Sequence, residues 1–475
     1  MALVVGIDLG TQSVKAVVCD ERLRVLAEHA VPITTQRPAE DRAEQDPAMW
    51  EAALAQAIAG AFDTIRRAGK PETESHVVAI AIAGQLDGCV PVDASGAPIH
   101  PALIWQDRHA LSGAKRIEAR RVFAITGQVA DPGHLAPKAT LFPHAARYHE
   151  PTSYLVERLT GEAVMDAALA STTMLLELAT ERWSPELLSA FGITPLQLPR
   201  IAPTCAIAGH LREPLAKIRT GTPVAVGTGD DFATPLGAGI VAPGQLVCVA
   251  GTAEVVGTLA TQPIRDAAVE PMLETHVYPS GGYFIENPGW MSGGVVRWAR
   301  DLLVLADDAE LDRLAVAAPP GAAGLTFVPA LAGMMVPHWR PDVRGTLHGL
   351  SASHERRHIA RAVLEGLAFA CRDVAERLVH LGLDLREAVL LGGGSRSLVW
   401  TEIRADALGL PHRVAARTDT CAVGAAMIAA VAVGLVPDLV SAAALAEPLR
   451  ERVLPRADLD EPYARYRALI ARLGY

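Results

Sequence analysis

The sequence predicts a two-domain α/β protein in which each half combines strands and helices and a cleft lies between the halves. Three observations carry this. Apolar, β-branched runs alternate with helical patterns along the whole chain. A unit of strand, Gly-Thr turn and strand occurs twice, about 240 residues apart. The chain has 475 residues, 50% of them hydrophobic, which is enough apolar side chain for two cores of ordinary size.

Each element follows from local chemistry. Residues 3–7 and 14–19 are apolar runs on either side of Asp8-Leu9-Gly10-Thr11 and read as a hairpin; residues 23–33 supply a third strand. Asp46 is a good N-cap and Pro47 suits the first helical position, so a helix runs to about residue 68. Residues 77–83 form a buried strand that ends in the turn Gly84-Gln85-Leu86-Asp87-Gly88. Shorter strands follow at 90–92 and 102–105, and the stretch from 108 to about 200 is rich in helix. A strand at 223–226 runs into Gly227-Thr228-Gly229-Asp230-Asp231 and a helix rich in Gly and Ala. The second hairpin joins 245–250 to 255–259 through Gly251-Thr252-Ala253. Beyond it lie a strand at 325–329 and a long helix over 353–381 with Ser353 as its cap. A strand at 388–391 ends in Gly392-Gly393-Gly394-Ser395, followed by a helix over 398–408, a strand at 413–415 and a helix over 421–433. No linker stands out by composition. The division into domains 1–239 and 240–475 rests on the repeat, with the boundary near residues 238–244.

Charge and cysteine usage exclude several function classes. Forty-three basic residues against 53 acidic ones give a net charge of −10, which argues against a general nucleic-acid binder. The start of the chain lacks a basic leader and Asp8 interrupts its apolar run, so no secretory signal is expected. The longest apolar stretch, residues 421–436, is shorter than the ~20 residues of a membrane span and reads as a buried helix. Six scattered cysteines form no CxxC pair, so neither a zinc site nor a disulfide framework is indicated and a cytoplasmic enzyme is expected.

Three glycine-rich turns follow apolar strands, and each could cradle phosphate with backbone N–H groups and hydroxyls. None matches GxxxxGK[ST] or GxGxxG. A single such turn is often only a hairpin. Together, Asp8-Leu9-Gly10-Thr11-Gln12-Ser13, Gly251-Thr252 and Gly392-Gly393-Gly394-Ser395 resemble the superfamily of actin, hexokinase and Hsp70, which has two ribonuclease H-like domains around an active-site cleft. Within it the chain resembles the FGGY carbohydrate kinases, closest to the xylulokinases. The resemblance is carried by LLGGGSRSLVWTEIRADALG at 390–409, PHWRPDVRGTLHGLSAS at 337–353, Glu44-Gln45-Asp46-Pro47, the segment from Gly84-Gln85 to Arg108, and Leu159-Thr160-Gly161-Glu162.

The resemblance implies ATP as phosphoryl donor, Mg²⁺ as cofactor and a small sugar as acceptor, with D-xylulose first and another ketose or a polyol (ribulose, erythritol or glycerol type) as the alternative. A non-catalytic sugar sensor is a further alternative. Members of that family often form dimers, so a homodimer is entertained, with neither nucleic acid nor membrane as partner. Asp230 is implied as the general base; from the residues alone it reads rather as a helix cap. Asp231 stands where the family usually has an amide, and two adjacent carboxylates repel if both face the pocket. Asp8 is implied as the partner of Mg²⁺. Gly10, Thr11, Gln12 and Ser13 would meet phosphate, with Lys15 either joining them or lying solvated on an edge strand. Gly251 and Thr252 would face the terminal phosphate from the other side, and Gly393, Gly394 and Ser395 would border adenosine. Gln85, Leu86 and Asp87 are implied at the sugar; xylulokinases usually carry Gln-Met-His there, and Asp87 is the departure that leaves the sugar open. Trp105 either closes the pocket or belongs to the core.

Three features read as ordinary structure. His134 sits in a turn and is expected to be solvated or to bond a loop. His338 and Trp339 pack the second half, and Arg116, Arg120 and Arg121 mark the polar face of a helix. Residues 138–154 are shorter than the corresponding helical stretch of the family.

Overall fold

A computed structural model describes residues 2–70, 73–268, 271–340, 342–450 and 452–475. The chain forms two compact units. The first comprises Met1–Val241 with Thr275–Tyr283 and Thr420–Ala446; the second comprises Ala242–Glu274, Phe284–Asp419 and Glu447–Tyr475. The main stretch of the first unit ends at Val241, and the unit takes in two later segments, which no linear boundary can express.

In the first unit a mixed sheet runs in the order Ile207–His210, Pro223–Ala225, Val77–Gly84, Leu3–Leu9, Ser13–Asp20, Val25–Pro32. Leu3–Leu9 and Ser13–Asp20 are the antiparallel hairpin, closing with Leu9 opposite Val14. Val77–Gly84 lies parallel to Leu3–Leu9, with Asp8 opposite Ala83 and Leu9 opposite Gly84. The short strand Thr228–Gly229 pairs with the same residues from the other side, Thr228 opposite Ala83 and Gly229 opposite Gly84. Three parallel strand ends thus stop level with one another.

Alternation along Leu3–Leu9 explains how both faces of this sheet are covered. Leu3, Val5 and Ile7 share a core with Trp50, Leu54, Ile58 and Phe62 of helix Pro47–Arg67. That helix starts where expected: the Asp46 carboxylate accepts from Ala48 N at 2.9 Å, and Pro47 needs no partner for an N–H it lacks. On the opposite face Val4, Ala79 and Ala81 pack with Ala422, Ala425 and Ala426 of helix Cys421–Ala432. Small residues let this helix lie very close: a Cβ on Gly6 would stand 1.9 Å from Ala422 O.

The second unit repeats the design. Gln245–Ala250 and Ala253–Ala260 form a hairpin with Val249 opposite Val255, and Glu387–Leu391 lies parallel to the first of these strands, with Val249 opposite Leu391. Tyr283–Met291 follows on one side and His412–Val414 on the other. Helix Arg356–His380 supplies most of one side of the core, including Val363, Leu367, Cys371 and Val374.

Four local expectations need correction. The long helix begins at Arg356 with Glu355 as its cap, not Ser353, whose hydroxyl instead bonds that of Ser351 at 2.9 Å. The strand expected over 102–105 stops at Leu103. Arg116 is outside helix Ala119–Thr126 and donates to Phe191 O at 2.9 Å, so the arginines do not form one helical stripe. His134 is buried, as set out below. The compact 138–154 stretch holds helix Pro151–Thr160 and strand Arg147–His149, which pairs with Val90–Val92.

Candidate active site

The level strand ends of the first unit set the site. Asp8 closes Leu3–Leu9, the turn 84–88 closes Val77–Gly84, and Asp230 follows Thr228–Gly229. Carboxyl ends of parallel strands are where open α/β sheets bind ligands. The chain passes tightly here because Gly227 and Gly229 carry no Cβ. Gly227 has φ of +78° and a Cβ would stand 2.1 Å from Ile82 O; at Gly229 it would stand 1.9 Å from Leu86 Cδ2.

Asp230 is the first residue of helix Asp230–Gly237, and Gly229 is the cap. The capping alternative therefore does not describe it. Its Oδ1 accepts from Asp231 N at 3.1 Å, and the side chain is half-buried. Loss of water around the carboxyl pushes its pKa well above the ordinary range, and the charges of Asp231 and then Asp8 push it further. Asp231 is raised to about 7, first by desolvation and then by Asp87, with His276 opposing. Asp8 is buried and pairs with Lys15, Nζ to Oδ2 3.5 Å, so Lys15 reaches the site and not only solvent.

The turn Gly10–Ser13 is held by Gly10 N to Ser13 O at 3.0 Å and by Ile33 N to Gln12 O at 2.9 Å, and leaves Gln12 exposed. Two hydrogen-bond chains tie it to the turn 84–88 and its surroundings. Gln85 Nε2 donates to Gln45 Oε1 at 2.9 Å, and Gln45 Nε2 donates to Thr11 O at 2.8 Å. Trp105 Nε1 donates to Thr11 Oγ1 at 2.9 Å, and with 37% of its surface exposed Trp105 is not a core residue. Leu86 is buried against Gly229 and shapes the floor rather than offering a polar contact. Asp87 is half-buried, with a left-handed φ of +58°.

Around Asp87 the structure reveals residues that sequence reasoning missed. Lys138 is fully buried and donates to Asp87 O at 2.6 Å, Ile104 O at 2.8 Å and Gly133 O. Burial pulls its pKa down while Asp87, Glu150 and Asp107 pull it up. Glu150, also buried, accepts from Gly88 N at 2.7 Å. Of the two readings of His134 the solvated one is overturned and the loop bond holds: it is 5% exposed, stands 3.1 Å from Val129 O and meets Asp87 Oδ1 at 2.8 Å. Lys138 and Glu150 lie in the stretch 138–154 that the sequence singles out, and there for its length alone.

In the second unit a cavity of about 560 Å³ is lined by Gly251, Thr252, Gly393 and Gly394 together with Arg297, Arg300, Asp312, Ser397 and Trp400. Val249 lies opposite Leu391, so the two glycine turns stand side by side at neighbouring strand ends. Gly392 has φ of +78°, and a Cβ on Gly394 would meet Ala250 Cβ and the Trp400 ring at 2.7 Å. Ser395 is not on the cavity wall: it is buried and donates to Gly392 O at 2.6 Å, shaping the turn instead. Asp312 accepts from Ser397 Oγ at 2.8 and 2.9 Å, and burial raises its pKa.

Two compact α/β units, one with carboxylates at level strand ends and one with a glycine-lined cavity, define the class: the chain belongs to the FGGY family of carbohydrate kinases. The family model of the N-terminal domain matches residues 3–237 and that of the C-terminal domain residues 246–433. It is accordingly an ATP-dependent sugar phosphotransferase, and the sensor alternative falls away. The chain is 32% identical over 447 residues to the xylulose kinase of Klebsiella pneumoniae, covering 90% of each. It is also 32% identical over 499 residues to the glycerol kinase of Alkalilimnicola ehrlichii, covering 100% of this chain and 99% of the relative. The crystal structure of a "xyloylose kinase" from Brucella ovis superposes with a TM-score of 0.90 at 29% identity, covering 99% of each chain. Among the described residues no helix is long and apolar enough to cross a membrane.

Proposed function

We propose that the chain transfers the terminal phosphoryl group of ATP to a hydroxyl of D-xylulose, giving D-xylulose 5-phosphate. The observation that carries this reading is the meeting of Asp8, Asp230 and the 84–88 turn at three level strand ends. Asp230 accepts the hydroxyl proton as the new O–P bond forms. A carboxylate with a raised pKa binds that proton better than an ordinary one, and it must be ionised to start. Gln85, Asp87, Trp105 and Asp231 border the acceptor, with Leu86 beneath it. Gly10, Thr11, Gln12 and Ser13 offer donors to phosphate from the first unit, and Gly251, Thr252, Gly393 and Gly394 form the nucleotide cavity of the second.

Asp8 fits Mg²⁺. It is a buried hard oxygen donor at the end of Leu3–Leu9, and Mg²⁺ takes one or two carboxylates and fills its other positions with water and phosphate oxygens. Bound there, the ion would neutralise phosphate charge. Among the described residues the one group of three close metal-type donors, Cys248, Glu254 and Cys371, does not compete, since Glu254 is taken by Arg404 at 2.5 and 2.6 Å. The six cysteines are thiols rather than disulfides, which suits a reducing cytoplasm.

A second reading, another ketose or a polyol as acceptor, is favoured by Asp87, whose carboxylate can accept from two hydroxyls. A panel of D-xylulose, D-ribulose, glycerol and erythritol, read by ADP release, decides. The first reading expects the highest kcat/KM with D-xylulose; a better polyol or ketose replaces it.

A further inference from the structure

The His134 ring is bonded on both sides. Nε2 stands 3.1 Å from Val129 O, and a carbonyl oxygen only accepts, so Nε2 carries hydrogen. Nδ1 stands 2.8 Å from Asp87 Oδ1. A bare Nδ1 would set its lone pair against a carboxylate oxygen, so a second proton lies between Nδ1 and Oδ1. The Gln128 amide approaches the same nitrogen at 3.4 Å and is the weaker partner, its orientation set by Met174 N donating to its Oε1 at 2.7 Å. The titratable groups around the pair are Lys138, Glu150 and Asp231, with burial pushing the Glu150 carboxyl well up.

The mounting is rigid. The Lys138 ammonium bonds the carbonyls of Asp87 and Gly133, and so ties the backbone of one partner to the residue before the other. These bonds hold Asp87 in a left-handed conformation that non-glycine residues rarely adopt. Oδ2 of Asp87 has no hydrogen-bond partner among the described residues, and the side chain is 24% exposed.

We propose that His134 sets the acceptor. By sharing one proton with Asp87 it fixes Oδ1 and leaves Oδ2 to accept from the acceptor's hydroxyls. Beside Asp230 and Asp231, this arrangement takes an uncharged ketose or polyol and rejects a carboxylate-bearing acceptor such as an aldonate. The inference rests on the kinase reading of the site, and His134 is a positioning residue that acts through Asp87.

Two measurements on the full chain test it. In ¹⁵N-histidine-labelled protein near pH 7, one buried imidazole is expected to carry protons on both nitrogens and to lose that signature in Asp87→Asn. A ring with one bare nitrogen facing Asp87 overturns the shared proton, whatever the enzyme phosphorylates. In kinetics, His134→Leu removes the Nδ1 donor, and its acceptor KM should rise about 10-fold or more with the KM for ATP unchanged. His134→Asn puts an amide nitrogen where Nδ1 was and should recover most of that loss. Equal behaviour of the Leu and Asn variants, or D-gluconate accepted as well as a neutral sugar, overturns the role. Asp87→Asn leaves the histidine in place and should show the same rise in KM, which carries the test if the Leu variant does not fold. If the doubly protonated ring is seen and no carbohydrate is phosphorylated, the kinase reading fails and the acceptor role falls with it, while the proton-sharing pair stands.

Discussion

Replacing Asp231 by Asn should stabilise the protein, and do so more as pH rises. The Asp231 carboxyl titrates near 7 in the folded chain against an ordinary 3.8. A group whose pKa is raised by folding adds stability that is complete below its unfolded value and is lost as pH climbs through the folded value. Between 3.8 and about 7 the full difference is worth about 4 kcal/mol. Half-burial lets water screen part of it, leaving about 2 kcal/mol at pH 8. Asn cannot ionise and escapes this cost, and it also relieves Asp230, for which Asp231 is the largest charge effect after desolvation. Melting curves of wild type and Asp231→Asn at pH 5 and pH 8 read the effect: about 4–8 °C in favour of the variant at pH 8, shrinking toward pH 5. The acid limb of its pH–rate profile should also move to lower pH, because Asp230 ionises more easily. Parallel melting curves at both pH values, or a variant that melts lower at pH 8, would refute the reasoning.

Other expectations follow from single contacts. Asp230→Ala should lower kcat by about 100-fold or more while a fluorescent ADP analogue binds as before, measured by titration of both proteins. Gly6→Ala should destabilise by about 3 kcal/mol in chemical denaturation, because its Cβ would press on the Ala422 carbonyl at 1.9 Å and the Ala426 nitrogen at 2.4 Å, both backbone. Arg404→Met should cost about 3–5 kcal/mol by leaving the buried Glu254 carboxylate without its guanidinium partner, seen as a lowered unfolding midpoint.

Much of this was readable locally. Asp46-Pro47 starts its helix by a cap whose chemistry lies within two residues, and both hairpins announce themselves by apolar runs around a Gly-Thr turn. Asp230 follows a Gly-Thr-Gly stretch in which Gly227 lies against backbone and Gly229 against the Leu86 side chain, and the glycines show in the sequence before the contacts do. Long-range partners were out of reach. His134 looks like a turn histidine because Asp87 is 47 residues away. Lys138 looks like any lysine until three carbonyls converge on it. The helix Cys421–Ala432 reads as part of the second half, yet it covers a sheet whose first strand begins at Leu3. Ser353 looked like a cap because serine caps well, but the chain turns once more before the helix starts at Arg356.

The most direct test follows phosphorus itself. The purified protein is mixed with ATP, Mg²⁺ and D-xylulose, and the ³¹P spectrum is recorded beside that of Asp230→Ala. A sugar phosphomonoester resonance growing in step with ADP, and absent in the variant, is the expected result. ADP without any ester, or an ester formed equally well by Asp230→Ala, would contradict the account.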